Sequence, residues 1–171
     1  MTMNQKLLFR RMQVEDVPRV HQIDVESFSL PWPEHSYHYE ITNNLASRPF
    51  VVETLADNHI SLIVGMIVVW VILDEAHIGT IAVDPHYRQQ GIAKFLLAKM
   101  LHEVYREGVE KVFLEVRRGN KNAQMLYERF GFTVDGVRKK YYKDNNEDAL
   151  LMLLDRINLA KLEEILAQFE H

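Results

Sequence analysis

Four stretches of the chain carry residue types suited to chemistry. The first, Arg88-Gln89-Gln90-Gly91-Ile92-Ala93-Lys94, stands between an apolar run ending at Val83 and another beginning at Ile92. A glycine at the mouth of a helix lets the backbone approach an anion, and the free N–H groups and dipole of the helix favour negative charge there. Arg88 and Lys94 add two cations. The stretch reads either as a pyrophosphate cradle or as an ordinary strand-to-helix turn with solvated charges. It has neither the Gly-Lys-Ser/Thr of a Walker loop nor the three glycines of a dinucleotide fingerprint. The second is Leu114-Glu115-Val116-Arg117, an acid inside an apolar strand. Such an acid is costly to bury unless it is used or paired. Burial would raise its pKa and make Glu115 a better base near neutral pH; the alternative is a carboxylate neutralised by Arg117 or Arg118. The third holds Tyr127, whose phenol has an apolar body and a polar tip. It is either a proton donor or a core tyrosine with a satisfied hydroxyl. The fourth is an aromatic and proline cluster, Phe28, Leu30, Pro31, Trp32 and Tyr37, which either caps the core or forms the lip of a substrate groove.

Positioning those groups requires alternating strands and helices. Strands are predicted at Leu7 to Met12, Pro49 to Leu55, Ser61 to Leu73, Ala76 to Val83 and Lys111 to Val116, with Thr133 to Lys140 and Ala149 to Leu154 pairing as a final hairpin; the Val and Ile content of the middle segments supports this. Apolar residues at helical spacing predict helices at Glu15 to Ser27, Glu34 to Asn44, Ile92 to Glu107 and Asn120 to Phe130, and an amphipathic C-terminal helix at about 157–171. Pro31 and Pro33 separate the first two. Gly108 and Gly131 are placed to end the third and fourth, and Asn120 or Asn122 to cap the fourth. The expected architecture is one domain over residues 1–171, a mixed α/β or α+β sandwich.

Composition narrows the function. The chain has 171 residues, 47% of them hydrophobic and 26% charged, with a net charge of −4, which argues against general nucleic-acid binding. It has no cysteine, hence no thiolate nucleophile, disulfide or Cys-based zinc site. His35-x-x-His38 lacks a third ligand, so no metal is expected. The run from Leu62 to Leu73 is shorter than the ~20 residues of a membrane span, and the N-terminus lacks the apolar core of a secretory signal. A cytoplasmic protein without membrane attachment is expected.

The motifs in this order resemble the GNAT acetyltransferase superfamily. The resemblance rests on Arg88-x-x-Gly91-x-Ala93, on Ile81-Ala82-Val83-Asp84-Pro85 before it, and on Asn120-x-x-Ala123-x-x-x-Tyr127-x-x-x-Gly131-Phe132. It implies a central mixed, mostly antiparallel sheet flanked by helices, with acetyl-CoA as cosubstrate and no metal. Ile81, Ala82 and Val83 would lie beside the pantetheine arm. Arg88, Gln89, Gln90, Gly91, Ile92, Ala93 and Lys94 would wrap the pyrophosphate, and Asn120 would belong to the later cofactor segment. A backbone N–H near Ala82 or Val83 would face the developing oxyanion. Phe28-x-x-Pro31-Trp32-x-x-x-x-Tyr37-x-x-Glu40, Leu114-Glu115-Val116-Arg117, and Tyr141-Tyr142 followed by Glu147-Asp148-Ala149 are similar, more narrowly, to ribosomal-protein N-terminal alanine acetyltransferases. That likeness implies Glu115 as general base and Tyr127 as general acid. It also implies Phe28, Pro31, Trp32, Tyr37, Tyr141 and Tyr142 beside a protein or peptide N-terminus with a small first residue. Asp144, Glu147 and Asp148 would then draw in a basic peptide tail. The chain departs from the pattern at Ala93, commonly glycine, at Leu30, often phenylalanine, and from Ile157 onward, where it extends further. A monomer or weak homodimer is expected. The other readings are an acetyltransferase for a small amine or a lysine side chain, and a non-catalytic acyl-CoA-binding module.

Overall fold

A computed structural model describes residues 6–55 and 61–170; His171, the end of the expected C-terminal helix, and the remaining positions of the expected 1–171 domain lie outside the described residues. Seven strands form one sheet: β1 (Leu7–Arg11), β2 (Ser47–Leu55), β3 (Ser61–Ile72), β4 (Glu75–Val83), β5 (Lys111–Arg117), β6 (Thr133–Arg138) and β7 (Ala149–Leu154). Their order is β1-β2-β3-β4-β5-β7-β6. Every neighbouring pair is antiparallel except β4 and β5, so the sheet is mixed and mostly antiparallel as expected. β6 and β7 pair as the predicted hairpin, with β7 placed between β5 and β6.

The helices are α1 (Val17–Ser27), α2 (Glu34–Thr42), α3 (Ile92–Arg106), α4 (Lys121–Arg129) and α5 (Leu159–Ala167). The chain enters α1 through a 3-10 turn, Val14–Asp16, because Pro18 can occupy only the first turn of an α-helix. The unbroken apolar run of β3 follows from burial on both faces. Val64, Ile67 and Val69 meet Leu96, Leu97 and Leu101 of α3 on one side. Met66 and Val68 meet Val17, Val20 and Ile23 of α1 and Tyr37 of α2 on the other. The C-terminal helix α5 buries Leu162 and Ile165 in the α3 cluster, and the Phe169 ring lies 5.2 Å from that of Phe95.

One irregularity shapes the whole molecule. β4 pairs with β5 only at Glu75–Lys111, Ala76–Val112 and His77–Phe113. Immediately beyond, Gly79 is an extra residue against β3, because Val69 faces Ile78 while Val68 faces Thr80. A bulge bends and twists its strand, and here it turns Ile78–Val83 away from β5. The sheet opens as a V with its apex at His77. Among the described residues no helix is long and apolar enough to cross a membrane.

Candidate active site

The diverging strands frame an open cavity of about 810 Å³, walled by Ile78–Val83 of β4, Leu114–Arg117 of β5, and Asn120, Ala123 and Tyr127 at α4. Arg88, Gln89 and Ala93 from the loop before α3 also line it, as do Phe28, Trp32 and Tyr142.

The loop end is built by positive-φ residues. Asp84 caps the 3-10 turn Pro85–Tyr87 by accepting the His86 amide at 2.8 Å, and it also accepts the Arg19 guanidinium. Gln89 (φ 61°) and Gly91 (φ 80°) then take left-handed conformations, with Gly91 directly preceding α3. The first helical bond runs from Phe95 N to Gly91 O at 3.0 Å, and the amides of Gly91, Ile92, Ala93 and Lys94 donate to no described protein acceptor. Those amides fit an anion. The two predicted cations are placed differently from the expectation. Arg88 donates through Nε to the Val83 carbonyl at 3.1 Å and through its guanidinium to Ser27 Oγ at 3.0 Å, so it ties β4 to α1 while lining the cavity. Lys94 turns away: its Nζ donates to Gln168 at 2.7 Å and lies over the Phe169 ring. Gln90, Gly91 and Ile92 also stand outside the cavity wall, Ile92 as a buried core residue.

At the centre, Glu115 Oε2 lies 2.6 Å from His77 Nε2. This bond, helped by the more distant Arg138, holds the carboxyl below its usual range although burial opposes it. The expectation of a raised pKa is therefore corrected, and so is pairing with Arg117 or Arg118. Arg117 is engaged by Asp144 (2.9 Å) and Glu147 (3.3 Å) and lies 3.9 Å over the Tyr142 ring; Arg118 pairs with Asp148 at 3.6 Å. Asp144, Glu147 and Asp148 are thus each paired within the chain, with two guanidiniums serving three carboxylates. Asp144 also accepts Ser29 Oγ at 2.5 Å, which links the β6–β7 loop to the segment after α1.

Tyr127 enters from α4. Asn120 caps that helix at the Ala123 amide (3.1 Å), as expected, and Gln124 donates to the Arg117 and Arg118 carbonyls at 3.0 and 2.9 Å. These bonds fix α4 against the end of β5. Tyr127 is 5% exposed, and its hydroxyl makes no hydrogen bond to a described residue. Burial, reinforced by Tyr142, raises its pKa and keeps the phenol protonated.

The aromatic end is two-layered. Phe28, Trp32 and Tyr142 line the cavity, and burial pushes the Tyr142 pKa up to about 12. Tyr37 does not reach it: it is fully buried, and its hydroxyl donates to Asp24 at 2.7 Å. The same Asp24 oxygen accepts the Trp32 amide at 2.9 Å, so Tyr37 supports the lip from beneath. Pro31 and Tyr141 lie outside the wall, and Tyr141 meets Tyr142 edge-on at 5.1 Å.

Sequence reading missed Trp70, His77 and Gly79. Trp70 stacks on Trp32 at 6.1 Å, lies 5.8 Å from His77, and donates to Glu40 at 2.9 Å. Its ring fills the space of the side chain that Gly79 lacks. Sequence spacing hides such neighbours, since Trp70 sits on β3 while His77 and Gly79 sit on β4. One further group of possible metal ligands, Glu26, Asp84 and His86, has ligand atoms within 4.8 Å of one another. Asp84 already accepts Arg19, the His86 amide and the His86 ring, which accounts for that cluster. An ionised carboxylate and a protonated phenol lining one cavity are equipped to take one proton and give another.

Residues 17–132 match the family model described as Acetyltransferase (GNAT) family. A relative from Bacillus subtilis (strain 168) is 36% identical over 150 residues, covering 88% of this chain and 96% of its own. The ribosomal protein bS18-alanine N-acetyltransferase of Escherichia coli (strain K12) is 33% identical over 145 residues, 84% of this chain and 93% of its own. The crystal structure of the Escherichia coli ribosomal-protein-S18-alanine N-acetyltransferase superimposes with a TM-score of 0.77 at 29% identity, over 89% of this chain and 95% of that one.

Proposed function

Since the chain belongs to the acetyltransferase (GNAT) family, we propose that it transfers acetyl from acetyl-CoA to the N-terminal α-amine of a protein, a ribosomal protein with a small first residue being the acceptor. The observation that carries this reading is the convergence of groups on one cavity: the loop before α3, whose first amides are free, Glu115 and Tyr127, and Phe28, Trp32 and Tyr142. The fit to acetyl-CoA rests on this chain's own backbone. The amides of Gly91 to Lys94 suit a pyrophosphate. Beyond His77 the β4 edge has no β5 partner and is open to an amide-bearing arm.

In the reaction, the acceptor's amine forms a bond to the thioester carbonyl carbon and the carbon–sulfur bond breaks. Glu115, ionised, takes the proton the amine must lose, through a water molecule. Tyr127, protonated, gives one to the departing sulfur. A β4 amide at Ala82 or Val83 stabilises the charge that develops on the carbonyl oxygen. A carboxylate held below its usual range is a weak base, which suits an α-amine. That amine titrates near ~7.7–8.0, so roughly a tenth is neutral at pH 7; a lysine at ~10.4 is neutral less than one time in a thousand. Phe28, Trp32 and Tyr142 select the acceptor, with Tyr37 acting through Trp32. All these side chains come from one chain, and the reaction needs no second protomer, nucleic acid or membrane. It belongs in the cytoplasm, with its substrates.

The test compares three peptides that share a body with an internal lysine: free N-terminal alanine, blocked N-terminus, and free N-terminus with a bulky first residue. Mass spectrometry should locate acetyl on the α-amine of the first alone. Equal labelling of the internal lysine in the blocked peptide refutes the proposal in favour of a lysine acceptor.

A further inference from the structure

His77 stands at the apex of the V. It is the last β4 residue in register with β5, opposite Phe113, and the next turn of the chain carries the bulge that opens the cavity. Parallel pairing brings its imidazole to Glu115, two residues past Phe113 and on the same face of β5. The Glu115 side chain is 15% exposed, and His77 is its only side-chain hydrogen-bond partner among the described residues. A carboxylate on a strand has rotamer freedom unless a partner removes it; here one nitrogen at 2.6 Å does so. The imidazole is itself held. The Trp70 ring lies 5.8 Å away at 49°, Trp70 is anchored by Glu40, and Trp32 stacks behind it at an interplanar angle of 6°.

We propose that His77 is a positioning residue for acetyl transfer, its Nε2–H fixing the Glu115 carboxylate in the orientation that meets the water relaying the acceptor's proton. This rests on the proposed role of Glu115. Both carboxylate oxygens matter: His77 occupies Oε2, which leaves Oε1 to take the acceptor's proton. The groups that act on Glu115 are its own backbone amide, His77 from β4, Arg138 from β6 and Tyr142 from the β6–β7 loop. Of the other residues, only His77 touches it. Removing the imidazole takes away the largest effect that opposes burial, and the carboxyl should then titrate higher. Glutamine places an amide N–H near the position of Nε2 without adding a titrating group, so it should retain the positioning.

The test uses the full chain with His77→Phe and His77→Gln. For His77→Phe, kcat should fall about 10- to 100-fold, the range expected when a catalytic group is misplaced by about 1 Å, while acetyl-CoA affinity by calorimetry stays within about twofold. The acid limb of kcat should move up by about one pH unit. His77→Gln should recover most of kcat and return the limb towards its original position. Carbon-13 NMR titration of the Glu115 carboxyl in the three proteins reads the same contact without an acceptor. It remains decisive if the N-terminal acceptor itself proves wrong, an outcome the wild-type peptide assay reports separately. Wild-type kcat in His77→Phe overturns the proposal. So does a Glu115 titration that is unmoved by phenylalanine, or a glutamine variant no better than the phenylalanine one.

Discussion

Gly79→Ala tests the coupling between the bulge and the acceptor end. A Cβ at Gly79 would lie 2.7 Å from Trp70 Cη2 and 2.9 Å from Cζ2. Carbon atoms rest at about 3.5–4.0 Å, so the indole must retreat by roughly 1 Å. It has nowhere easy to go. Nε1 is bonded to Glu40 at 2.9 Å, and Trp32 lies parallel to it with the buried Tyr37 beyond. Overpacking of this kind costs about 1–3 kcal/mol. Loss of a bond to a charged acceptor costs about 1.5–3 kcal/mol. Against these, replacing glycine by alanine stabilises through the unfolded chain by about 0.4–1 kcal/mol. A net loss of about 1.5–5.5 kcal/mol follows from these ranges, and at about 2–4 °C per kcal/mol for a chain of this size Tm should drop by about 3–22 °C. Because Trp32 lines the cavity, the displacement should also raise peptide KM several-fold. Acetyl-CoA affinity should stay within about twofold, since the loop at Gly91 is not touched. Scanning calorimetry, peptide kinetics and cofactor titration on the same preparation read all three. An unchanged or higher Tm together with an unchanged peptide KM would refute the reasoning.

Glu115→Gln should lower kcat by about 10²–10⁴ at pH 7 with acetyl-CoA affinity retained. His77 holds Glu115 below the usual carboxyl range, so Glu115 stays ionised as pH falls towards 5; the decline of wild-type kcat/KM from pH 8 to 5 should follow the acceptor's own amine pKa in a peptide series. A fixed midpoint across peptides of different amine pKa contradicts this. Gly91→Asp puts a charged side chain at φ 80°, against the Phe169 ring and beside the free amides. It should lower CoA affinity by more than about tenfold in calorimetry, with circular dichroism unchanged. Tyr142→Ala removes a cavity wall and the surface under Arg117. It should raise peptide KM and leave cofactor affinity alone. Since Arg117 and Arg118 pair with Asp144, Glu147 and Asp148 and leave one net negative charge there, peptide KM of the wild type should change by less than about twofold between low and physiological salt.

The parts of the molecule that were legible in the sequence are those written in local pattern. The β3 run, the α3 stripe, the Asn120 cap and Gly91 at the start of α3 all follow from residues within one or two turns of one another. Glu115 was visible as an acid in an apolar strand, but its partner was not. His77 is separated from it by the whole β4–α3–β5 crossover, and only parallel register brings the two together. Tyr37 looked like part of the lip because it lies near Trp32 in sequence; Asp24, from another helix, draws its hydroxyl into the core. In sequence Lys94 and the acids after Tyr142 read as charges facing a ligand. Each has an intramolecular partner from a distant segment, and sequence gives no direct measure of where a long side chain finds its partner.

The divergence of β4 from β5 also bears on how long the protein survives. The β4–β5 pairing stops at His77 in the middle of the sheet, and unpaired edges of this kind belong to the low-stability end of a structure. A molecule that lies along that edge binds the folded chain and not the unfolded one. At a hundred times its Kd it adds about 2.7 kcal/mol to folding, which lowers the unfolded population about a hundredfold. Degradation that draws on the opened state scales with that population. Protection of the purified chain from proteolysis should therefore rise with acyl-donor concentration.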